Sequence, residues 1–260
     1  MSHIMRNRTP QLSSLKRTLA MLDAVIADGG RSNVTALAES TGIPPATAHR
    51  QITTLVAEGY LKPSGNGRHV AGSRLLGLLH KLDEKQLIAN VAAPILHALA
   101  MQVKSVVQLG TLENEMVTYR IKTGRGSGNL FTRIGMQLEA YCSGIGKILL
   151  ANLPDLERGA YLAGGPFVAL TDRTITDPIQ LADELELIRK QGFAVDDGEI
   201  AIGLRCLAVP IRNANGDVLS AISVSQAQGS KTAIGDAELL LKLRACAARI
   251  ENEAFGPQHS

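Results

Sequence analysis

Two segments in the C-terminal half of the chain carry polar groups at spacings that suit ligand binding. Cys206 lies in the run GLRCLAVP, and Ser223 and Ser225 lie in the run AISVS. Side chains two residues apart on a strand share one face, so these hydroxyls and the thiol can donate hydrogen bonds to a small polar ligand. The alternative is a buried thiol that acts as a small hydrophobic group, with serines that face solvent.

A third segment, CSGIGK at residues 142–147, has the small residues of a phosphate-binding loop without the rest of that motif. Tyr141 occupies the position of the first glycine, and Ile148 replaces the Ser or Thr that should follow the lysine. The N–H groups of residues 144–146 at the start of a helix can instead bind a carboxylate. A tight turn without a ligand explains the glycines equally well.

The acidic turn DDGE contains two carboxyl groups, Asp196 and Glu199, that could act as an acid/base pair or bind a metal. None of the six histidines lies near this turn, and none lies between residues 98 and 258. A nucleophilic Cys206 would therefore have no histidine base from its own domain. We expect neither a metal site nor a cofactor, and a solvated turn is the commoner outcome.

A helical segment of different chemistry lies in IPPATAHRQITTLVAEGYL, residues 43–61. Its apolar residues repeat at helical spacing and form one stripe: Ala48, Ile52, Leu55 and Val56. The opposite face carries short polar groups and one positive charge, from Thr47, Arg50, Gln51 and Thr54. A helix that lies in a DNA major groove has such a face, whereas an ordinary surface helix usually carries more charge of both signs.

The distribution of charge favours a nucleic-acid partner for the N-terminal part. Residues 1–81 contain ten Lys and Arg against four Asp and Glu, whereas residues 82–260 contain seventeen against twenty. A basic third joined to a mildly acidic remainder indicates that one end of the chain meets a polyanion. Tryptophan is absent and aromatic residues are 3% of the chain, which argues against a binder that stacks on single-stranded bases.

Composition also indicates a cytoplasmic protein. The three cysteines are unclustered, which is typical of reduced thiols and not of a disulfide framework. No apolar run reaches the roughly 18 residues of a membrane span, and residues 1–11 read as a basic arm without the apolar region of a secretory signal.

The elements around the polar helix predict a winged helix. A first helix is indicated by an apolar repeat, with Ser13 or Ser14 as its cap: Leu15, Leu19, Leu22 and Ile26. A second helix follows a cap at Ser32 or Asn33, and the polar helix is the third. Short strands at residues 60–62 and 68–70 form a wing whose Lys62 and Arg68 are within reach of phosphates.

The remainder alternates strands and helices. Residues 105–112 and 115–123 read as a strand pair, a helix begins near Gly144, and residues 178–191 form an amphipathic helix. Two further strands are joined by Asn-Ala-Asn-Gly before a final helix at about 234–254. Paired strands with helices between them predict an α+β sensor domain and not a doubly wound parallel sheet.

Taken together, three motifs resemble the IclR family of bacterial transcription regulators over about residues 12–255. They are PATAHR with LVAEGYL, SGIGKILLANL, and GFAVDDGEIAIGLRCLAVPI followed by AISVS. The resemblance implies an α+β chain with a winged helix-turn-helix domain, a linker helix and a GAF-like α/β effector-binding domain. The expected boundaries are residues 1–11 for the arm, 12–72 for the winged helix, 73–85 for the linker helix and 86–260 for the effector-binding and oligomerisation domain.

The resemblance also implies a double-stranded DNA operator, a small carboxylate effector, and homodimers that pair into tetramers. It places one group of residues in the effector pocket: Gly144, Ile145, Asp196, Leu204, Cys206, Ser223 and Ser225. Arg133 and Arg205 are further carboxylate partners or surface ion pairs. The chain departs from the family pattern at Ala46, His69, Ile145 and Gln226.

We therefore expect a transcriptional regulator, not an enzyme, whose operator binding is modulated by a small organic acid. The alternative is a small-molecule enzyme that uses Cys206 or the Asp196 and Glu199 pair and carries an accessory winged helix. A third hypothesis is a ligand-binding module whose winged helix binds protein.

Overall fold

The computed structural model describes residues 12–126, 130–230 and 233–256. The expected basic arm, residues 1–11, lies outside the described residues. The described chain divides into two compact units between Asp83 and Glu84.

The first unit contains the expected three helices and wing, followed by a short helix. Asn33, not Ser32, caps the second helix, since its side chain accepts a hydrogen bond from the N–H of Ala36 at 3.0 Å. The wing strands pair antiparallel through a turn in which Asn66 and Gly67 have positive φ. The elements are α1 Ser13–Asp28, α2 Val34–Thr41, α3 Pro45–Ala57, β1 Leu61–Gly65, β2 Arg68–Ala71 and α4 Ser73–Leu79.

The first helix buries a different face from the one expected. Leu15, Leu19 and Ile26 are 54%, 51% and 45% exposed, and only Leu22 of the expected stripe is buried. The core face instead consists of Met21, Leu22 and Val25. The helix is apolar on two sides, and periodicity does not say which side meets α2 and α3. The helix also begins after Leu12 without a side-chain cap, so the expected caps at Ser13 or Ser14 were wrong.

An apolar surface remains open on α1 and α4. We call it the leucine face and define it by five exposed side chains: Leu12, Leu15, Leu19, Leu76 and Leu79. Several exposed leucines on two helices of one unit are more typical of an interface than of free solvent exposure.

The second unit is built on one antiparallel sheet with strand order β5-β4-β3-β8-β7-β6. This confirms the expected α+β architecture. Its helices are α5 Glu84–Val103, α6 Gly144–Ala151, α7 Asp155–Ala163, α8 Pro178–Gln191 and α9 Asp236–Phe255. Its strands are β3 Val106–Glu113, β4 Met116–Thr123, β5 Gln137–Glu139, β6 Ala194–Asp197, β7 Leu204–Arg212 and β8 Val218–Ala227.

Two hydrophobic layers hold the sheet between helices. On one face, α5 and α9 pack against side chains such as Leu109, Leu207 and Ile222. On the other face, α6 and α8 pack against Val117, Ala208 and Ala221. The helix α5 is long and apolar enough to cross a membrane, and its buried residues account for that composition because they form part of this core.

Candidate effector site and nucleic-acid interface

The register of the sheet places the polar residues of three strands in one row. Asp196 on β6 lies opposite Cys206 on β7, and Cys206 lies opposite Ser225 on β8. The thiol of Cys206 is 3.2 Å from the hydroxyl of Ser225, which donates to Oε1 of Gln108 at 3.3 Å. In the next row, Ser223 lies opposite Gln108 on β3. Alternation along the strands turns these side chains toward the same side of the sheet.

All seven expected effector residues line a single cavity above these rows. They are Gly144, Ile145, Asp196, Leu204, Cys206, Ser223 and Ser225. The sequence did not identify the other polar groups of the lining, which are the side chains of Gln108, Tyr119, Thr132 and Ser143. None of the residues that line the cavity is a lysine or arginine.

The start of α6 presents two unused N–H groups to the cavity. The side chain of Ser143 accepts a hydrogen bond from the N–H of Gly146 at 3.0 Å and so caps the helix. The N–H groups of Gly144 and Ile145 have no acceptor among the described residues. Gly146 cannot be replaced, because an added Cβ would lie 2.1 Å from the carbonyl oxygen of Ala140. This close packing fixes the helix start over the sheet, where the two N–H groups can bind an anionic oxygen.

Asp196 contributes a buried carboxyl group with one unused oxygen. It is 1% exposed, and its Oδ1 accepts a hydrogen bond from the N–H of Glu199 at 2.7 Å. Its Oδ2 has no partner among the described residues. Burial raises the pKa of Asp196, although the hydrogen bond from Glu199 and the charge of Lys147 act in the opposite direction. A protonated Asp196 can donate a hydrogen bond to a ligand carboxylate.

Lys147 links α6 to β6 and to the acidic turn that follows it. The sequence suggested this lysine only as part of an incomplete phosphate-binding motif. It is 1% exposed and donates to Oε1 of Glu199 at 2.5 Å, to the carbonyl of Val195 at 2.7 Å and to Oε1 of Glu184 at 3.2 Å. Glu199 therefore lies in a buried ion pair, which corrects the expectation of a solvated acidic turn. A helical lysine followed 52 residues later by a glutamate carries no sequence pattern that identifies the pair.

The geometry does not support the enzyme alternative. Cys206 is buried, and burial raises the pKa of its thiol, to which the charge of Asp196 adds. A nucleophilic cysteine needs a lowered pKa. Glu199 is held by Lys147 and does not line the cavity. No group of three or more potential metal ligands occurs within the described part of the chain.

Of the two arginines suggested as carboxylate partners, Arg205 is used elsewhere. It forms ion pairs with Asp197 at 3.1 Å and with Asp236 at 2.6 Å. Arg133 is exposed and has no ion-pair partner among the described residues.

In the first unit, the polar face of α3 borders a groove against α1. Thr47 is half-buried, whereas Arg50 and Thr54 are exposed. Arg17 and Thr18 of α1 line the opposite side of the groove. Arg17 thus adds a positive charge that the helical pattern of α3 alone did not indicate. Lys62 and Arg68 are exposed on the wing strands, as expected.

Gln51 differs from the expectation for the open face of α3. It is 8% exposed, and its Oε1 has no partner among the described residues. At 100° per residue, position 51 falls between the core stripe and the open face, so the side chain lies at the floor of the groove beside α1. Contact of Gln51 with an outside molecule requires its side chain to rotate outward.

These features define a class of protein: a winged-helix unit with a basic polar helix, joined to an α+β unit with a small polar cavity. The family model described as "Bacterial transcriptional regulator IclR C-terminal" matches residues 80–252, and the model "IclR helix-turn-helix domain" matches residues 14–65. The chain belongs to the IclR family of bacterial transcriptional regulators.

Relatives and solved structures agree with this assignment. The Pca regulon regulatory protein of Pseudomonas putida is 32% identical over 223 residues, which cover 85% of this chain and 76% of that protein. The Agobacterium tumefaciens repressor BlcR is 26% identical with a TM-score of 0.71, over 95% of this chain and 98% of that one. An IclR homolog from Microbacterium hydrocarbonoxydans, solved in complex with 4-hydroxybenzoate, is 26% identical with a TM-score of 0.61, over 93% of this chain and 99% of that one.

Proposed function

We propose that this regulator binds a double-stranded DNA operator through its winged helix and that a small carboxylic acid in the cavity of the second unit modulates this binding. The observation that carries the proposal is the coexistence of an exposed basic polar helix with a cavity that presents the unused N–H groups of Gly144 and Ile145. The protein acts in the cytoplasm, without enzymatic activity of its own.

The proposed DNA contacts follow from the exposed polar groups. Arg50 and Thr54 face bases or phosphates in the major groove, with Thr47 at the edge of the same surface. Lys62 and Arg68 on the wing contact the phosphate backbone. Gln51 joins this surface only after its side chain has rotated.

The leucine face supports the proposal that the protein is a homodimer. Its side chains lose their solvent exposure when two copies meet through α1 and α4. Two winged helices then occupy successive major grooves, roughly 34 Å apart, and dimers pair into tetramers. Light scattering after size-exclusion chromatography measures the oligomeric state. A monomer at micromolar concentration would contradict the proposed homodimer.

In the cavity, the proposed effector carboxylate accepts hydrogen bonds from the N–H groups of Gly144 and Ile145. The carboxyl group of Asp196 and the hydroxyls of Ser223 and Ser225 complete its surroundings. Leu204 and Cys206 also line the cavity. The effector favours one spacing of the two winged helices, which shifts the population of dimers that fits DNA.

The DNA surface is tested with the Arg50→Ala variant. Binding to genomic fragments is measured by gel shift or fluorescence anisotropy at two salt concentrations. Loss of a base contact is expected to weaken binding by about 1–3 kcal/mol, and loss of a phosphate contact is expected to reduce the salt slope by about 1. Arg249→Ala, at an exposed position of α9, is the matched control and should bind like the wild type. Unchanged binding by Arg50→Ala at matched salt would show that the assigned face is wrong.

A further inference from the structure

The cavity is closed on one side by residues 130–132, which we call the closing segment. All three of its residues line the cavity. The cavity volume is about 10 Å³, which is room for a single water molecule. An effector with several carbon atoms therefore fits only after the cavity widens, and the closing segment is the wall considered for this movement.

Two side chains of the sheet hold the closing segment in place. Nε2 of Gln108 donates to Oγ1 of Thr132 at 2.8 Å. Nζ of Lys122 donates to the carbonyl oxygen of Leu130 at 2.8 Å and also to that of Thr132. The ammonium of Lys122 therefore lies directly behind two residues of the cavity wall.

Lys122 shares a side of the sheet with the effector residues. It lies opposite Gln108 in the pairing of β4 with β3, and Gln108 lies opposite Ser223 in the pairing of β3 with β8. The three side chains thus form one row across three strands, on the face that bears the cavity.

The ammonium of Lys122 has no carboxylate partner among the described residues. Burial lowers its pKa, and the like charge of Arg133 lowers it further. A partly buried cation held only by carbonyl oxygens gains when an anion replaces them. When the closing segment moves, Lys122 loses these carbonyl oxygens and faces the cavity.

The two anion-binding groups lie over different strands. An added Cβ on Gly144 would lie 3.3 Å from the Cβ of Ala208, so the start of α6 lies over β7. Lys122 lies on β4, three strand spacings away in the order β4-β3-β8-β7. At about 4.8 Å for each spacing, the two backbones are roughly 14 Å apart. The side chain of Lys122 spans part of this distance, which leaves the length of a short carbon chain.

We propose that Lys122 receives a second acidic group of the effector, which makes the effector a dicarboxylic acid. One carboxylate binds the N–H groups of Gly144 and Ile145, and the other binds the ammonium of Lys122. The second carboxylate takes the place of the carbonyl oxygens of Leu130 and Thr132, so ligand binding and release of the closing segment occur together. This inference rests on the proposed function, because it assigns the ligand of the same cavity.

The test compares acids of equal length by isothermal titration calorimetry on the full chain. Succinate, glutarate and adipate are paired with butyrate, valerate and hexanoate. We expect at least one dicarboxylate to bind about ten-fold more tightly than the monocarboxylate of equal length, as for a charge pair formed away from bulk water. Lys122→Met should reduce this preference to about two-fold or less, whereas Lys122→Arg should retain it because the charge remains. Lys190→Met, at an exposed position of α8, should leave the preference unchanged.

Three results would overturn the inference: a preference close to one in the wild type, an unchanged preference in Lys122→Met, or binding by none of the dicarboxylates. If Lys122→Met does not fold, the inference is still tested by the dicarboxylate preference of the wild type and by that of Lys122→Arg. Lys122 could instead act only by holding the segment closed, and its loss would then tighten the binding of both acids in each pair. Operator binding without any acid is measured separately. If the protein binds DNA and a monocarboxylate releases it, the proposed function stands, but the inference that the effector is a dicarboxylic acid is wrong.

Discussion

Replacement of Lys147 by methionine tests the buried ion pair beneath the cavity. Methionine keeps much of the aliphatic stem and removes the ammonium. Glu199, which is 7% exposed and already has one oxygen without a partner among the described residues, then becomes an uncompensated buried carboxylate. Removal of one member of a buried ion pair costs about 3–5 kcal/mol. We expect a loss of this size in the free energy of unfolding of the second unit.

The loss should depend on pH, with a defined sign. Burial raises the pKa of Glu199 from 4.5 to about 7, and Lys147 is the main group that opposes this rise. Without Lys147 the folded pKa rises further, so the folded state holds a proton that the unfolded state releases. Below about pH 7 Glu199 is protonated in both folded proteins, so the additional destabilisation is small. It increases as the pH rises through the folded pKa of the wild type and is complete above the higher folded pKa of the variant.

Urea unfolding of the full chain, followed by tyrosine fluorescence, measures this loss. The chain has four tyrosines and no tryptophan, and Tyr119, Tyr141 and Tyr161 belong to the second unit. The loss should be larger at about pH 8 than at about pH 5. Lys147→Met with Glu199→Gln should recover much of the stability, since both charges are then absent. A loss below about 1 kcal/mol, the range of an exposed pair, or equal losses at both pH values, would refute the reasoning.

Two further measurements test other parts of the chain. Asn33→Ala removes the cap of α2, where the side chain accepts from the N–H of Ala36; we expect a loss of about 1 kcal/mol in the stability of the first unit, and an unchanged urea midpoint by circular dichroism would contradict this. Thiol labelling of the native protein should modify Cys246 first, because it is only partly buried. Burial raises the pKa of Cys142 to about 12 and also raises that of Cys206, so both should react slowly. Rapid labelling of Cys206, which lines the cavity, would show that the cavity opens more readily than the hydrogen bonds of its wall suggest.

The sequence predicts the elements of this fold well where turn and cap chemistry agrees with periodicity. The hairpin between β7 and β8 and the helix that begins at Gly144 both occur where expected. The expected turn at residues 113–114 is displaced by one position, since Asn114 and Glu115 have the positive φ angles. The helix α7 at Asp155–Ala163 was not predicted.

The sequence is less informative wherever the choice depends on a partner surface. The apolar repeat of α1 is real, but Leu15 and Leu19 face outward because Met21 and Val25 meet the neighbouring helices. A single helix does not encode which of its two apolar sides is covered within the chain. The same argument explains the burial of Gln51, which the pattern of α3 placed on the open face.

The sequence likewise identified some residues of the candidate site and not others. Strand alternation and the family motifs identified the seven residues that line one cavity. Gln108 and Lys122 were not identified, because their roles depend on the register of β3 and β4 with β8 and on a segment that folds back over the sheet. Contacts between residues far apart in sequence leave no local signature.

The small volume of the closed cavity has a kinetic consequence. If ligand enters only after residues 130–132 have moved, the observed rate of binding cannot exceed the rate of that opening. Increasing the ligand concentration should then bring the rate to a plateau, and the measured dissociation constant is weaker than that of the open form by the fraction of molecules that are open. A substitution that favours the open form would speed association without any new contact to the ligand.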